Sequence, residues 1–218
     1  MIWKFTDNKS RDSIEQQFDW ARNMNEVPQD KLYHAEGNVA VHTWKVIEEL
    51  QQLPAYSDLG GQDKEILWTA ALLHDVEKRS ATVVESDGRI TARGHARKGE
   101  YTVRTLLYRD LPTPFAIREK IASLVRFHGL PLWLMEKTDP VRKIAEVAFR
   151  LDTSQLRMLA EADIRGRICQ DREELLESLD LFELFCREQG CWKKSREFTT
   201  DHARFRYFHT AESYIDYI

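Results

Sequence analysis

Cysteine is scarce in this chain. Three occur in 218 residues, Cys169, Cys186 and Cys191, with no CxxC pair among them. An odd number without paired spacing excludes a disulfide frame and a zinc knuckle, and reads as reduced thiols in a cytoplasmic protein. Long apolar runs are also missing. None approaches the roughly 20 residues needed to cross a bilayer, and the opening MIWKFTDNKS has no apolar signal-peptide segment. A cytoplasmic chain with no membrane partner is expected. A glycine-rich phosphate loop of the form GxxxxGK[ST] is absent, which excludes a P-loop kinase within these residues. There is no strong excess of one charge: Lys and Arg number 32, Asp and Glu 36, for a formal net charge of -4 and a pI near 6.0. The overall field does not attract a polyanion, so contact with nucleic acid requires a local basic patch.

Strand signals are nearly absent. ATVVESDGRITAR (81–93), with an Asp-Gly turn, reads either as a short hairpin or as a long loop. The rest reads as helix, at a length suited to one domain or one domain with an appendage. A polar helix is expected at 10–23, and another from Gly37-Asn38 through Leu50, stopped by Pro54. Asp63 is placed to cap a helix carrying ILWTAALLHD. Further helices run from His95 to Tyr108 and from Pro114 to Phe127. Asp139-Pro140 supplies an N-cap with Pro at the first turn for a helix through Asp152. Helix continues over 154–168, and Asp171 with Glu174 forms a capping-box pattern before a helix to Glu188. The fold class is therefore all-α, a helical bundle over residues 1–190. Residues 191–218 make a C-terminal arm rich in Arg and aromatics, which reads either as wrapping back on the bundle or as leading to a further domain.

Within this pattern the histidines stand out. His42 shares a helical face with Val39, Val46 and Leu50. His74 aligns with Ile66, Ala70 and Lys78 at four-residue steps, with Asp75 about 100° further round. His128 closes the stripe Ile117, Ile121, Val125, and Asp152 the stripe Val141, Ala145, Ala148. His95 opens its own helix. A single inward histidine is most often a satisfied core residue. Several imidazoles and carboxylates converging on one interior are different, because unpaired buried polar groups cost a few kcal/mol each. A mixed set of this kind suits one or two divalent ions, Mn, Fe, Co, Ni or Zn, and helix bundles build such sites from facing side chains.

The ordered motifs NVAVHTW, ALLHDVEK, RGHARKGEY, VRFHG and FRLDTSQL resemble the HD phosphohydrolase superfamily, whose pattern is H…HD…H…H…D, over about residues 32–170. Two finer resemblances concern LYHAEGNVAVHT with ADIRGR (162–167). They look like the HD domain of CCA-adding tRNA nucleotidyltransferases and, with the tail HARFRYF, the HD module of bacterial end-healing phosphohydrolase–polynucleotide kinase proteins. The resemblance implies metal ligands at His42, His74, Asp75, His95, His128 and a final aspartate. Asp152 is preferred to Asp163 because superfamily aspartates follow a short apolar run, as in AFRLD. It also implies removal of 2′-phosphates or opening of 2′,3′-cyclic phosphates on RNA ends, with a kinase domain fused in the full-length protein. The chain departs from the family pattern at Glu77, where Gly is common.

Phosphoester hydrolysis suits these groups. A divalent metal lowers the pKa of its water and neutralises phosphoryl oxygens, and two ions about 3.5–4 Å apart clamp both attacking and leaving oxygens. Asp75, with two oxygens, is the natural bridge: His42, His74 and Asp152 complete one metal, His95 and His128 the other. Lys78 and Lys98, one turn beyond His74 and His95, are candidates to contact phosphate, and each also reads as an exposed helix lysine. His34 in LYHAEG either contacts substrate or caps the next helix. Arg165 and Arg167 pair with acids or face substrate. Two other readings are a phosphatase for free nucleotides and a non-catalytic RNA-binding module; the latter predicts loss of a ligand, and none is lost.

Overall fold

The computed structural model describes residues 1–193 and 200. Beyond Lys193, Thr200 apart, the expected C-terminal arm lies outside the described residues. The architecture is helical, with one two-stranded antiparallel sheet.

Where one helix was expected at 10–23 there are two, α1 (Arg11–Gln17) and α2 (Asp19–Asn23). Phe18 breaks them with extended backbone and packs its ring against Phe5 and Trp20. A loop follows, tied by an isolated bridge between Pro28 and Asn38. The Asn38 side chain accepts from Val41 N at 2.9 Å and starts α3 (Val39–Gln52), satisfying one of the orphan amides of a helix start. After α4 (Pro54–Ser57) comes α5 (Gly61–Leu73), which begins two residues before Asp63 and is buried continuously from Ile66 to Leu73. This all-round apolarity marks a central helix; α5 packs against α3 and α8 and touches α11.

The next elements are α6 (Lys78–Ala81), β1 (Val83–Val84) and β2 (Ile90–Thr91). The strands pair Val83 with Thr91 and Val84 with Ile90, and Gly88 supplies the positive φ of +86° that their turn requires. Then come α7 (His95–Arg109), α8 (Phe115–Phe127), α9 (Leu130–Trp133), α10 (Pro140–Arg150), α11 (Thr153–Gly166) and α12 (Arg172–Glu188). Asp139 caps α10 through Arg142 N as expected. The Asp171 carboxylate makes no cap bond to α12.

Two close approaches fix the bundle. A Cβ on Gly99 of α7 would lie 3.0 Å from a Val125 methyl on α8, and one on Gly166 of α11 would lie 2.9 Å from the Val46 backbone nitrogen on α3. The Glu100 carboxylate, 2.9 Å from Arg104 on its own helix, ties α7 to α8 through Arg126 at 3.4 Å and to α10 through Arg150 at 3.7 Å. The pairs α3–α11, α3–α5, α5–α8 and α7–α8 thus converge on one interior region.

Candidate metal centre

The site lies where helices end. His74 follows the last residue of α5, and His128 follows the last residue of α8. His95 opens α7 behind Gly94, whose φ of +78° turns the chain into the helix. His42 comes from the first turn of α3 and Asp163 from the last turn of α11. Because α5 stops at Leu73, Asp75 sits in a turn rather than on a helix. That turn lets two adjacent side chains point into one centre, which a continuous helix forbids. The negative dipole ends of α5 and α8 favour positive charge there.

Three histidines use the same device. The Nδ1 atoms of His74, His95 and His128 lie 2.7, 2.7 and 2.8 Å from the carbonyl oxygens of Ala71, Ala92 and Val125, each three residues earlier. A carbonyl oxygen accepts only, so Nδ1 carries the proton and Nε2 presents a lone pair. Those Nε2 atoms surround Asp75: His74 at 3.2 Å, His95 at 3.2 Å and His128 at 3.9 Å. His42 Nε2 is 3.0 Å from Asp163 Oδ1 and 3.8 Å from Asp75 Oδ2. Lys78 donates to Asp75 Oδ2 at 2.8 Å and to Gln29 Oε1 at 2.7 Å.

Burial alone would raise the Asp75 carboxyl, but His74, Lys78 and His95 hold it well below the usual range. Asp163 is likewise held low against burial by Arg167 and His42. Burial, together with His74 and His95, pushes His128 down to about 3, so its ring is neutral.

These residues fit a cation. His42 Nδ1 and Nε2, His74 Nε2 and Asp75 Oδ1 are buried without a hydrogen bond of acceptable geometry, although carboxylates or imidazoles stand close by. The Nε2 atoms of His95 and His128 face each other at 3.4 Å. Lone pairs opposed to lone pairs repel unless a positive species lies among them. The donor atoms of His42, His74 and Asp75 all lie within 4.8 Å of one another, as do those of Asp75, His95 and His128.

A family model for the HD domain matches residues 39–163, more than half of the chain. This protein belongs to the HD domain family. Membership implies metal-dependent phosphohydrolase chemistry in general, and the buried His/Asp group of this HD domain is able to bind a metal ion. No curated protein matches the chain. No helix among the described residues is long and apolar enough to cross a membrane.

The structure brings His42, His74, Asp75, His95 and His128 together as the sequence pattern expects, and it corrects the last carboxylate. Asp152 is the N-cap of α11, where its carboxylate accepts from Ser154 N at 2.8 Å and from Ser154 Oγ at 2.7 Å. Asp163, at the other end of α11, faces His42 instead. Of the two readings of the arginines, both residues take the pairing with acids. Arg165 is exposed and pairs with Glu161 at 2.8 Å. Arg167 grips Asp163 with both ends of its guanidinium, at 3.1 and 2.5 Å. Lys98 is exposed and donates to the Ser80 carbonyl at 3.2 Å, away from the cluster. His34 does not cap α3: its Nδ1 is 2.8 Å from Glu36 Oε1, and its ring meets His42 edge-on at 4.7 Å.

Glu36 was not legible in the sequence. Its carboxylate is fully buried, lies 2.8 Å from Nδ1 of both His34 and His42, and accepts from Ile168 N at 2.8 Å. Burial pushes it up, and these contacts outweigh burial and hold it low. It stands in a loop before Gly37, off every helical stripe, so no periodicity marks it. Glu77, the departure from the family pattern, is also occupied structurally: its carboxylate accepts from Thr102 at 2.9 Å and Arg79 at 3.0 Å, and also from Ser80.

Proposed function

We propose that this protein is a metal-dependent phosphohydrolase acting on RNA ends, removing a 2′-phosphate or opening a 2′,3′-cyclic phosphate. The observation that carries the chemistry is the ring of Nε2 lone pairs, each fixed by a carbonyl bond at Nδ1, around the doubly available Asp75 carboxylate. His42, His74, Asp75 and Asp163 would hold one divalent ion, and Asp75, His95 and His128 a second. Imidazole and carboxylate donors suit Mn, Fe, Co, Ni or Zn. Such an ion supplies Lewis-acid charge and lowers the pKa of water.

The chain's own residues do the rest. The Ala71, Ala92 and Val125 carbonyls keep three imidazoles in one tautomer, as partners behind metal-binding histidines commonly do. Burial keeps His128 neutral, so it offers a lone pair rather than a repelling charge. Arg167 aligns Asp163 bidentately. Lys78, already bonded to Asp75, places an ammonium at the edge of the centre, where it neutralises a phosphate oxygen as charge develops.

RNA ends as substrate rest on the likeness of LYHAEGNVAVHT and ADIRGR to end-healing and CCA-adding enzymes. The arrangement of His34 and Arg167, one in each motif, around the same centre supports it. The same likeness supports a kinase domain as the covalent neighbour in a longer protein and a cytoplasmic setting. Phosphate release from RNA bearing a 2′- or 3′-phosphate end, and conversion of a 2′,3′-cyclic end to a phosphomonoester, across a panel of metals, test the reading. Turnover of at least one of these ends, abolished in Asp75→Ala with helical circular dichroism unchanged, is expected. Turnover of mononucleotides alone would favour a free-nucleotide phosphatase.

A further inference from the structure

Beside the metal centre runs an open groove of about 710 Å³, lined by loop residues Pro28 to Asn38 on one wall and by the β1–β2 turn, Asp87 to Ile90, on the other. Its volume falls within the usual range for small-molecule sites, roughly 300–1,000 Å³. The walls are tied together: Asp30 accepts from Leu32 N at 3.0 Å within its own loop and from Ile90 N at 2.9 Å across the groove. The groove therefore exists before any ligand arrives.

Its inner wall reaches the centre at two residues. His34 lines the groove and stacks edge-on against His42. Gln29 lines it too, is only 6% exposed, and accepts through Oε1 from the same Lys78 ammonium that binds Asp75. The other end of the Gln29 amide, Nε2, is buried with no hydrogen-bond partner among the described residues. A buried donor left unmade is costly, about 1–3 kcal/mol, and is economical only if something accepts from it.

We propose that this groove is the nucleoside subsite: it receives the ribose and base carrying the scissile phosphate, with Gln29 donating to that nucleoside from its free amide end while its other end positions Lys78. This rests on the reading that the phosphate itself sits at Lys78 and the metal centre. A nucleoside has the required chemistry, a flat apolar face for the mainly apolar walls and hydroxyl and ring acceptors for the amide.

The test is calorimetric titration of manganese-loaded protein with a non-hydrolysable phosphonate analogue of adenosine 2′-monophosphate and, separately, with inorganic phosphate. Wild type is expected to prefer the nucleotide at least tenfold. Ala35→Trp and Lys31→Trp, both substitutions at exposed groove positions, are expected to cut that preference to near one, with unchanged melting temperature as the folding control. Gln29→Leu is expected to lower the preference, and Gln29→Glu, which keeps an acceptor for Lys78, to restore phosphate affinity without restoring the preference. Equal wild-type affinity for the two ligands, or an unchanged preference in both tryptophan variants, overturns the subsite. Absence of RNA-end turnover overturns the proposed function instead, since binding is read without catalysis.

Discussion

At the scale of single residues, position relative to a helix end decides role. Asp152 and Asp163 both lie on inward stripes, yet one caps a helix and the other faces His42. Asp163→Ala is expected to lose metal, measured by elemental analysis after loading. It also leaves Arg167 without its carboxylate, and breaking a buried pair of this kind costs about 3–5 kcal/mol. Asp152→Ala is expected to keep full metal content and lose about 0.5–2 kcal/mol in denaturant melts, the usual effect of removing an N-cap. Metal loss in Asp152→Ala with retention in Asp163→Ala would reverse the assignment. Lys78→Ala is expected to slow turnover by about 10²–10³ with metal content unchanged, because an ammonium is no ligand. Wild-type turnover would reduce Lys78 to a helix-start lysine.

At the scale of elements, the site depends on how closely two helices approach. Gly166 lets α11 lie against the α3 backbone at Val46, and the same contact sets Asp163 against His42. In an exposed helix Gly→Ala gains up to about 1 kcal/mol from propensity. Here a Cβ would lie 2.9 Å from a backbone nitrogen that cannot swing away, and overpacking of this kind costs about 1–3 kcal/mol. The clash exceeds the propensity gain, so Gly166→Ala is expected to destabilise and to weaken metal binding together. Denaturant melts and metal titration on the same variant check both; a gain in stability would mean that α11 shifts freely on α3.

For the whole molecule, the cluster is a built-in conflict that a cation resolves. An ion that binds only the folded state stabilises it by about 2.7 kcal/mol at a hundred times its dissociation constant. Loading with manganese or another divalent metal is expected to raise the melting temperature, and chelation to reverse it. Affinity is expected to fall as pH falls, because protons compete for the same Nε2 lone pairs and the carboxylates Asp75 and Asp163 draw a proton to His74 against the effect of burial. A His95→Ala/His128→Ala double variant is expected to bind one equivalent fewer of metal than wild type, with the first retained. Equal stoichiometry would leave these two histidines as phosphate contacts.

The sequence by itself determined the helical class, most helix starts and five of the centre's residues, because these depend on local chemistry. Asn38 and Asp139 cap from their own side chains, and His42, His74 and His128 follow apolar neighbours at helical spacing. What only the tertiary structure decided is which distant groups meet. Asp163 rather than Asp152 closes the centre, because α11 crosses α3 at Gly166. Arg167 rather than Arg165 reaches that aspartate, because one faces inward and the other solvent. Glu36 is held behind His42, and Gln29 behind Lys78, by one loop ahead of α3; a loop has no period, so nothing in its sequence announces where it brings a side chain.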